Sequence, residues 1–274
     1  MSFSITNADF EKIKNLIYEK SGIFFSEINR PILESRLKER LKTVNLTSID
    51  EFYKLLTSNE EEMKFFLDAV TTNLTRFFRN QGQMDAFERY IIPELVDFKK
   101  KKGLPSTIKI WSAGCSTGEE PYSLAMMLSE ILPKDFTASI TASDLSLNSL
   151  MTAKTGFYQE SRIDGIPEKY LTKYFTKIND GYQVIDNLKK IIKFDYHNLN
   201  FDSGLTGLDL ILCRNVIIYF DEIAQEKVIS KFWSSLSNHA YLIIGHSESL
   251  FGMKTQFQFQ KTEWATFYTK MLDK

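Results

Sequence analysis

Residues 108–123, IKIWSAGCSTGEEPYS, run from an apolar segment into a loop of small residues, then into two glutamates, a proline and an apolar helix. No other stretch constrains the fold as tightly. A strand that ends in glycines and hydroxyls just ahead of a helix suits a backbone that approaches a small ligand closely at the end of a parallel strand. Gly114 and Gly118 admit dihedrals and contacts that a side chain would block, while Ser116 and Thr117 add hydroxyls. Glu119 and Glu120 at the helix start argue against a phosphate ligand, which wants helix N–H groups and a lysine there. Carboxylates want hydroxyls or a cation. A nucleoside carrying positive charge fits better.

From residue 108 onward, strands expected over 108–112, 138–143, 208–213 and 240–245 alternate with helices expected over 120–132, 147–155 and 223–236. This pattern predicts an α/β fold with a doubly wound parallel sheet. The ending QFQFQKTEWATFYTK, residues 256–270, reads as two alternating runs around a turn, a closing antiparallel hairpin at the sheet edge. The rhythm breaks between about residues 162 and 194, where Gly181-Tyr182-Gln183-Val184 after Asn179-Asp180 predicts a small inserted β subdomain.

The first third reads as helical. Phe10, Ile13, Leu16 and Ile17 recur at helical spacing, as do Ile32, Leu33, Leu37 and Leu41. Ser48 with Glu51 three residues on reads as a capping box ahead of Phe52, Leu55 and Leu56, and a fourth helix carries Met63, Phe66, Leu67 and Val70. A further helix is expected over 84–98, and the run Lys99–Lys102 with Gly103 and Pro105 reads as a solvated connection. The expected organisation is a helical N-terminal domain over 1–80 and a ligand-binding domain over 81–274.

Composition narrows the classes. A formal net charge of −1 gives no support for nucleic-acid binding. No apolar run approaches the roughly 18 residues needed to span a bilayer, so direct membrane insertion is not expected. The start MSFSITNADF lacks the basic and apolar regions of a signal peptide. Cys115 and Cys213 have neither metal-type nor disulfide-type spacing, which fits a reducing cytosol. His197, His239 and His246 are too scattered for a metal site. A cytoplasmic monomer without metal is the expectation.

Three other strand ends carry suitable polar residues. Asp144 in TASDLS suits a ribose diol and equally an N-cap for the next helix. Asn198-Leu199 in YHNLNF can read an adenine edge or form an ordinary turn. Arg214-Asn215 follows an apolar strand, where an arginine is costly to bury without partners. Ahead of the sheet, residues 70–81 place Thr71, Thr72, Asn73, Thr75, Arg76, Arg79 and Asn80 among Leu74, Phe77 and Phe78. Alone, that segment reads as an amphipathic join.

Taken in order, TTNLT-x-FFR, SAG-x-STGEEPYS, ASD, CRN-x-x-IYFD and GHSES resemble the CheR-type chemotaxis methyltransferases, and the resemblance covers nearly the whole chain. It implies transfer of a methyl group from S-adenosylmethionine to glutamate side chains of chemotaxis receptors, on a class I methyltransferase sheet. By the same resemblance Asn73, Thr75 and Arg79 reach the methionine end of the cofactor, and one of Glu119 and Glu120 contacts it. Asp144 matches the ribose acid, and Asn198 and Leu199 the adenine side. Arg214, Asn215 and Tyr219 match the element beside the sulfonium and substrate, and Gly114 the cofactor loop.

Arg79 and Tyr219 are the expected catalytic residues, as positioners of the substrate carboxylate. The family places receptor recognition on the helix that here carries Arg36, Lys38, Arg40 and Lys42. Some members bind a receptor's C-terminal tether on the inserted subdomain; the short loop around Asn179-Asp180-Gly181 predicts that this member does not. Cys115 stands where a small residue such as alanine is expected; cysteine is also small and is read as packing. The alternatives are a cofactor-binding regulatory module without catalysis, and a related methyltransferase of a non-chemotaxis signalling system. A nicotinamide-dependent oxidoreductase would want G-x-G-x-x-G after the first strand, which this loop lacks.

Overall fold

The computed structural model describes residues 5–71 and 73–272; Thr72, one of the polar residues of the 70–81 segment, lies outside the described residues. The chain opens with helices α1 (Asn7–Ser21), α2 (Arg30–Thr43), α3 (Ile49–Ser58) and α4 (Glu60–Val70). Ser48 caps α3 by accepting the Glu51 N–H at 3.4 Å, and Asn59 caps α4 by accepting the Glu62 N–H at 3.0 Å. Their apolar stripes close on one another, with Phe10, Ile17, Leu37, Phe52 and Phe66 buried and Phe52 edge-on to Phe66.

Next come α5 (Gln81–Ala86), a π-helical turn over Phe87–Ile91 and α6 (Ile92–Lys102). The π turn leads into Pro93, which has no N–H to continue the regular ladder. Here the expectation of a helix ending at 98 and a solvated 99–102 connection is corrected. The lysines form the last turn of α6, which stops at Gly103 with φ of 61°. Lys99 is buried and pairs with Asp209 at 2.8 Å. An acid inside an apolar strand requires such a partner.

The βα part contains β1 (Thr107–Ala113), α7 (Glu119–Ile131), β2 (Thr137–Asp144) and α8 (Leu147–Thr155). An insert follows: β3 (Phe157–Gln159), α9 (Glu168–Tyr174), β4 (Phe175–Ile178), β5 (Gly181–Val184) and α10 (Asp186–Lys189). The main sheet resumes with β6 (Ile192–Tyr196), β7 (Leu208–Cys213), α11 (Glu222–Ser235), β8 (Leu236–Ile244), β9 (Gln258–Lys261) and β10 (Thr266–Met271). Its seven strands lie in the order β6-β2-β1-β7-β8-β10-β9. Strands β6 to β8 run parallel, and β10 and β9 close the sheet as the antiparallel hairpin.

The insert is a separate antiparallel sheet, β3-β5-β4. It begins at Phe157 rather than 162, and residues 192–196 belong to the main sheet, pairing with β2 in register Ile140↔Ile192. As an edge strand, half of β6 faces solvent, so it lacks the apolar run that marks a buried parallel strand. Helices cover both sheet faces: Ile110, Leu210 and Leu212 pack toward α7, and Trp111, Ile211 and Cys213 toward α11. The strand order reverses between β1 and β7, so their carboxyl ends flank the crevice where ligands bind in such sheets. Among the described residues no helix is long and apolar enough to cross a membrane.

Candidate active site

A cavity of about 400 Å³ opens at that crevice, between the carboxyl ends of β1, β2 and β7, the end of α1 and the 71–79 segment. It brings together Asn73, Thr75, Arg79, Gly114, Glu120, Asp144, Asn198, Leu199, Arg214, Asn215 and Tyr219, residues spread over most of the chain. Glu119 and the four basic residues of α2 do not line it.

The loop after β1 is held by its own backbone. The N–H groups of Gly114 and Cys115 both donate to the Ser143 carbonyl, at 2.8 and 2.9 Å. Gly114 adopts φ of 88°, and a Cβ there would run into the Val216 side chain. Cys115 is buried in the core with its thiol pushed well up by burial, which suits a packing residue rather than a nucleophile.

Asp144 is only 8% exposed and accepts the Ser116 N–H at 2.7 Å and the Ser146 N–H at 2.8 Å. The N-cap of α8 is Ser146, which accepts the Ser149 N–H, so Asp144 does not cap that helix and turns to the cavity. Burial raises the Asp144 carboxyl from its ordinary value, and the N–H groups of Ser146 and Ser116 draw it back. Carboxylate lone pairs thus remain available to hydroxyl donors.

The two glutamates diverge. Glu120 lines the cavity, accepts the Ser112 hydroxyl at 2.7 Å and faces an Arg214 nitrogen at 3.2 Å. Glu119 is wholly buried on the other side, where it accepts the Thr117 hydroxyl at 2.7 Å and pairs with Arg162 of the insert. Of the acidic pair, the cavity side belongs to Glu120, and Glu119 as a cofactor contact is corrected. Consecutive helical residues point about 100° apart, and here the two take partners on different sides.

Arg214 is 7% exposed and also donates to the Arg79 carbonyl, tying β7 to the segment before α5. Burial lowers its pKa, and Glu120 opposes that shift. The Arg79 guanidinium donates to the Leu74 carbonyl at 2.8 Å. Asn215 sits in the left-handed region with φ of 60°; its N–H and that of Ile218 donate to Glu248, at 2.9 and 3.2 Å. Tyr219 stands at the mouth, and its carbonyl accepts the Phe24 N–H at 2.8 Å beside the Ile23–Phe220 bridge.

One expectation is extended and another changes. The Asn198 side-chain amide donates to the Lys20 carbonyl at 2.8 Å and its oxygen accepts the Asn200 N–H at 3.0 Å. Its side chain therefore also braces the helical part while lining the cavity, with one amide N–H left over. The basic residues of α2 do not form one face. Arg36 and Arg40 lie one turn apart, but Lys38 and Lys42 lie about 200° around the helix from them. Arg40 is engaged in a two-bond pair with Glu62, at 2.7 and 2.6 Å, while Arg36 is exposed beside Glu39.

Sequence reasoning missed several participants. His197 lines the cavity, Glu248 clamps the loop after β7, and Arg162 anchors Glu119. Glu248 had a signal in the GHSES motif; Arg162 had none, because its partner is distant in sequence. Three buried polar atoms without partners among the described residues, Ser116 Oγ, His197 Nε2 and Arg214 Nε, belong to residues of this one cavity. Burial lowers the His197 pKa from its ordinary value. Hydroxyl acceptors at Asp144, unpartnered polar atoms and Glu120 together fit a nucleoside with a cationic centre, as S-adenosylmethionine has.

The family description "CheR methyltransferase, SAM binding domain" matches residues 73–266, and "CheR methyltransferase, all-alpha domain" matches residues 8–71. A chemotaxis protein methyltransferase of Borreliella burgdorferi is 36% identical over 262 residues, 93% of this chain and 92% of the relative. Chemotaxis protein methyltransferase 2 of Vibrio cholerae is 32% identical, over 97% of this chain and 94% of the relative. That of Pseudomonas aeruginosa is 34% identical, over 90% and 88%. S-adenosylmethionine is accordingly the cofactor. With both of its parts matched, the chain belongs to the CheR methyltransferase family.

Proposed function

We propose that this S-adenosylmethionine-dependent methyltransferase esterifies glutamate side chains on the cytoplasmic helices of chemoreceptors, in chemotaxis adaptation. The observation that carries this reading is one cavity that gathers the half-buried Arg79 and the exposed Tyr219 with the buried Arg214 and Asp144. Relatives named chemotaxis protein methyltransferases support the system in which it acts. The proposed setting is cytoplasmic, with a monomer as the working unit and neither nucleic acid nor membrane insertion involved. The proposed division is a receptor-recognition part over 1–80 and a methyltransferase part over 81–274.

When bound, S-adenosylmethionine supplies an electrophilic methyl group on a sulfonium. Asp144 accepts from ribose hydroxyls, and the loop from Gly114 to Ser116 brings backbone close to them. Glu120 places negative charge near the cationic end, with Arg214 holding it in place. A glutamate carboxylate is ionised at neutral pH, so no general base is required. The chain's task is alignment, which can supply several kcal/mol. Arg79 holds one substrate oxygen while the other attacks; tight pairing would lower its nucleophilicity, so Arg79 acts as a positioner. Tyr219, at the mouth, steadies the substrate through its hydroxyl.

Methyl-labelled cofactor and receptor-containing membranes test the reading. Label in the receptor that is released as methanol by mild base is expected, and base-stable label or none would overturn it. The short β4–β5 turn at Asn179-Asp180 leads us to propose independence from a receptor C-terminal pentapeptide. Submicromolar binding of that peptide would refute this part alone.

A further inference from the structure

Three guanidinium groups line the cavity, those of Arg76, Arg79 and Arg214. Arg214 is engaged with Glu120 and the Arg79 carbonyl, and Arg79 with the Leu74 carbonyl. Arg76 differs. It is exposed at the mouth and has no ion pair or hydrogen bond among the described residues. The acids of the cavity, Glu120 and Asp144, sit deeper and have partners of their own. Free positive charge is therefore concentrated at the rim. Beside it, Ile32, Leu74 and Ile218 also line the cavity yet remain 52%, 77% and 51% exposed. Among the described residues the mouth is an apolar rim with one uncommitted cation.

We propose that Arg76 is a specificity-determining residue that binds a second carboxylate of the substrate helix, one turn from the glutamate being methylated. The substrate helix seats its apolar stripe on Ile32, Leu74 and Ile218. The inference rests on the glutamate-methylating reading above. A helix about 10 Å across lies over the mouth and sends only one side chain inward. Its residues three and four positions away share the face of that side chain, and so meet the rim. Apolar rim residues select an amphipathic helix, and an unpaired guanidinium selects an acid and repels a lysine.

A chemoreceptor cytoplasmic fragment with one target glutamate and Glu, Gln or Lys one turn away is the probe. The full chain, Arg76→Gln and Arg76→Glu are compared by kcat/KM for methyl transfer and by Kd for S-adenosylhomocysteine. The unaltered enzyme is expected to prefer the Glu fragment over the Gln fragment by about fivefold, the scale of an exposed ion pair. Arg76→Gln loses that preference, and Arg76→Glu reverses it toward Lys, with product affinity and Tm unchanged. An unaltered order of preference in Arg76→Glu, or weakened product binding, overturns the assignment. Indifference of the unaltered enzyme to the flanking residue overturns it alone. Failure to methylate any fragment overturns the glutamate reading as well.

Discussion

The carboxylate of Glu119 and the guanidinium of Arg162 join the loop after β1 to the three-stranded insert. Glu119 is fully buried, and Arg162 also donates to the Thr117 hydroxyl at 2.9 Å. Tyr158, likewise from the insert, donates to the Thr117 carbonyl at 2.6 Å. The adjacent Glu120 ties the same loop to β7 through Arg214. The cofactor loop is thus held from two sides by two neighbouring acids.

Removing Arg162 leaves the Glu119 carboxylate buried without its cation. A wholly buried pair broken in this way loses about 3–5 kcal/mol, and the 42% exposure of Arg162 reduces that. Arg162→Met is expected to lose about 1–2 kcal/mol of stability and to weaken cofactor binding. Adding Glu119→Gln recovers part of both. Thermal unfolding and calorimetric titration of the single and double variants check this.

The Asp144 carboxyl is raised by burial, so its proton returns at a higher pH than for an exposed aspartate near pKa ~3.9. Its protonated form accepts ribose hydroxyls more weakly, having lost the charge that strengthens those bonds. Cofactor affinity is therefore expected to fall on acidification, starting above the ordinary aspartate range, and to recover as pH rises. Asp144→Asn is expected to bind at least tenfold more weakly, the loss of a charge-assisted hydrogen bond, and without that pH dependence. Titrations with S-adenosylhomocysteine between mildly acidic and neutral pH decide it.

Gly114 faces two obstacles to substitution, its φ of 88° and the Val216 side chain where a Cβ would go. Gly114→Ala is expected to disturb both the cofactor loop and the Asn215 loop. Val216→Ala added to it relieves the collision but not the backbone strain, which is of order 1 kcal/mol. Stability should return only in part, and full recovery would show that the collision alone matters.

Arg36 and Arg40 separate recognition from folding. Arg40→Glu replaces a partly buried two-bond pair with two facing carboxylates, and the introduced acid cannot satisfy Glu62. A loss of about 2 kcal/mol or more in stability is expected, and with it a general loss of activity. Arg36→Glu is expected to leave Tm and cofactor affinity intact while raising KM for the receptor. Equal loss of receptor methylation and cofactor binding in Arg36→Glu would remove that residue from recognition.

Much of this architecture is legible locally. The strand, loop and helix around Gly114 follow from a buried apolar run, small residues and a helical stripe. Asp144 and Arg214 stand at strand ends because polar residues that close an apolar run must leave the sheet's core. The errors lie where a residue's partner is remote. Lys99 looks like part of a solvated run until Asp209 of β7 is placed beside it. The pairs Glu119–Arg162 and Glu120–Arg214 span 43 and 94 residues.

By itself the sequence determined the helical opening, the main strand–helix alternation and the polar residues at or after the ends of β1, β2 and β7, because backbone periodicity and turn chemistry act within a few residues. Tertiary structure alone decided direction: which glutamate meets the cavity, which α2 arginine is committed to Glu62, and that the Asn198 amide turns to α1. The reason is physical. A side chain's direction around a turn is set by packing and ion pairing across the molecule, and buried charge goes wherever a distant partner can neutralise it.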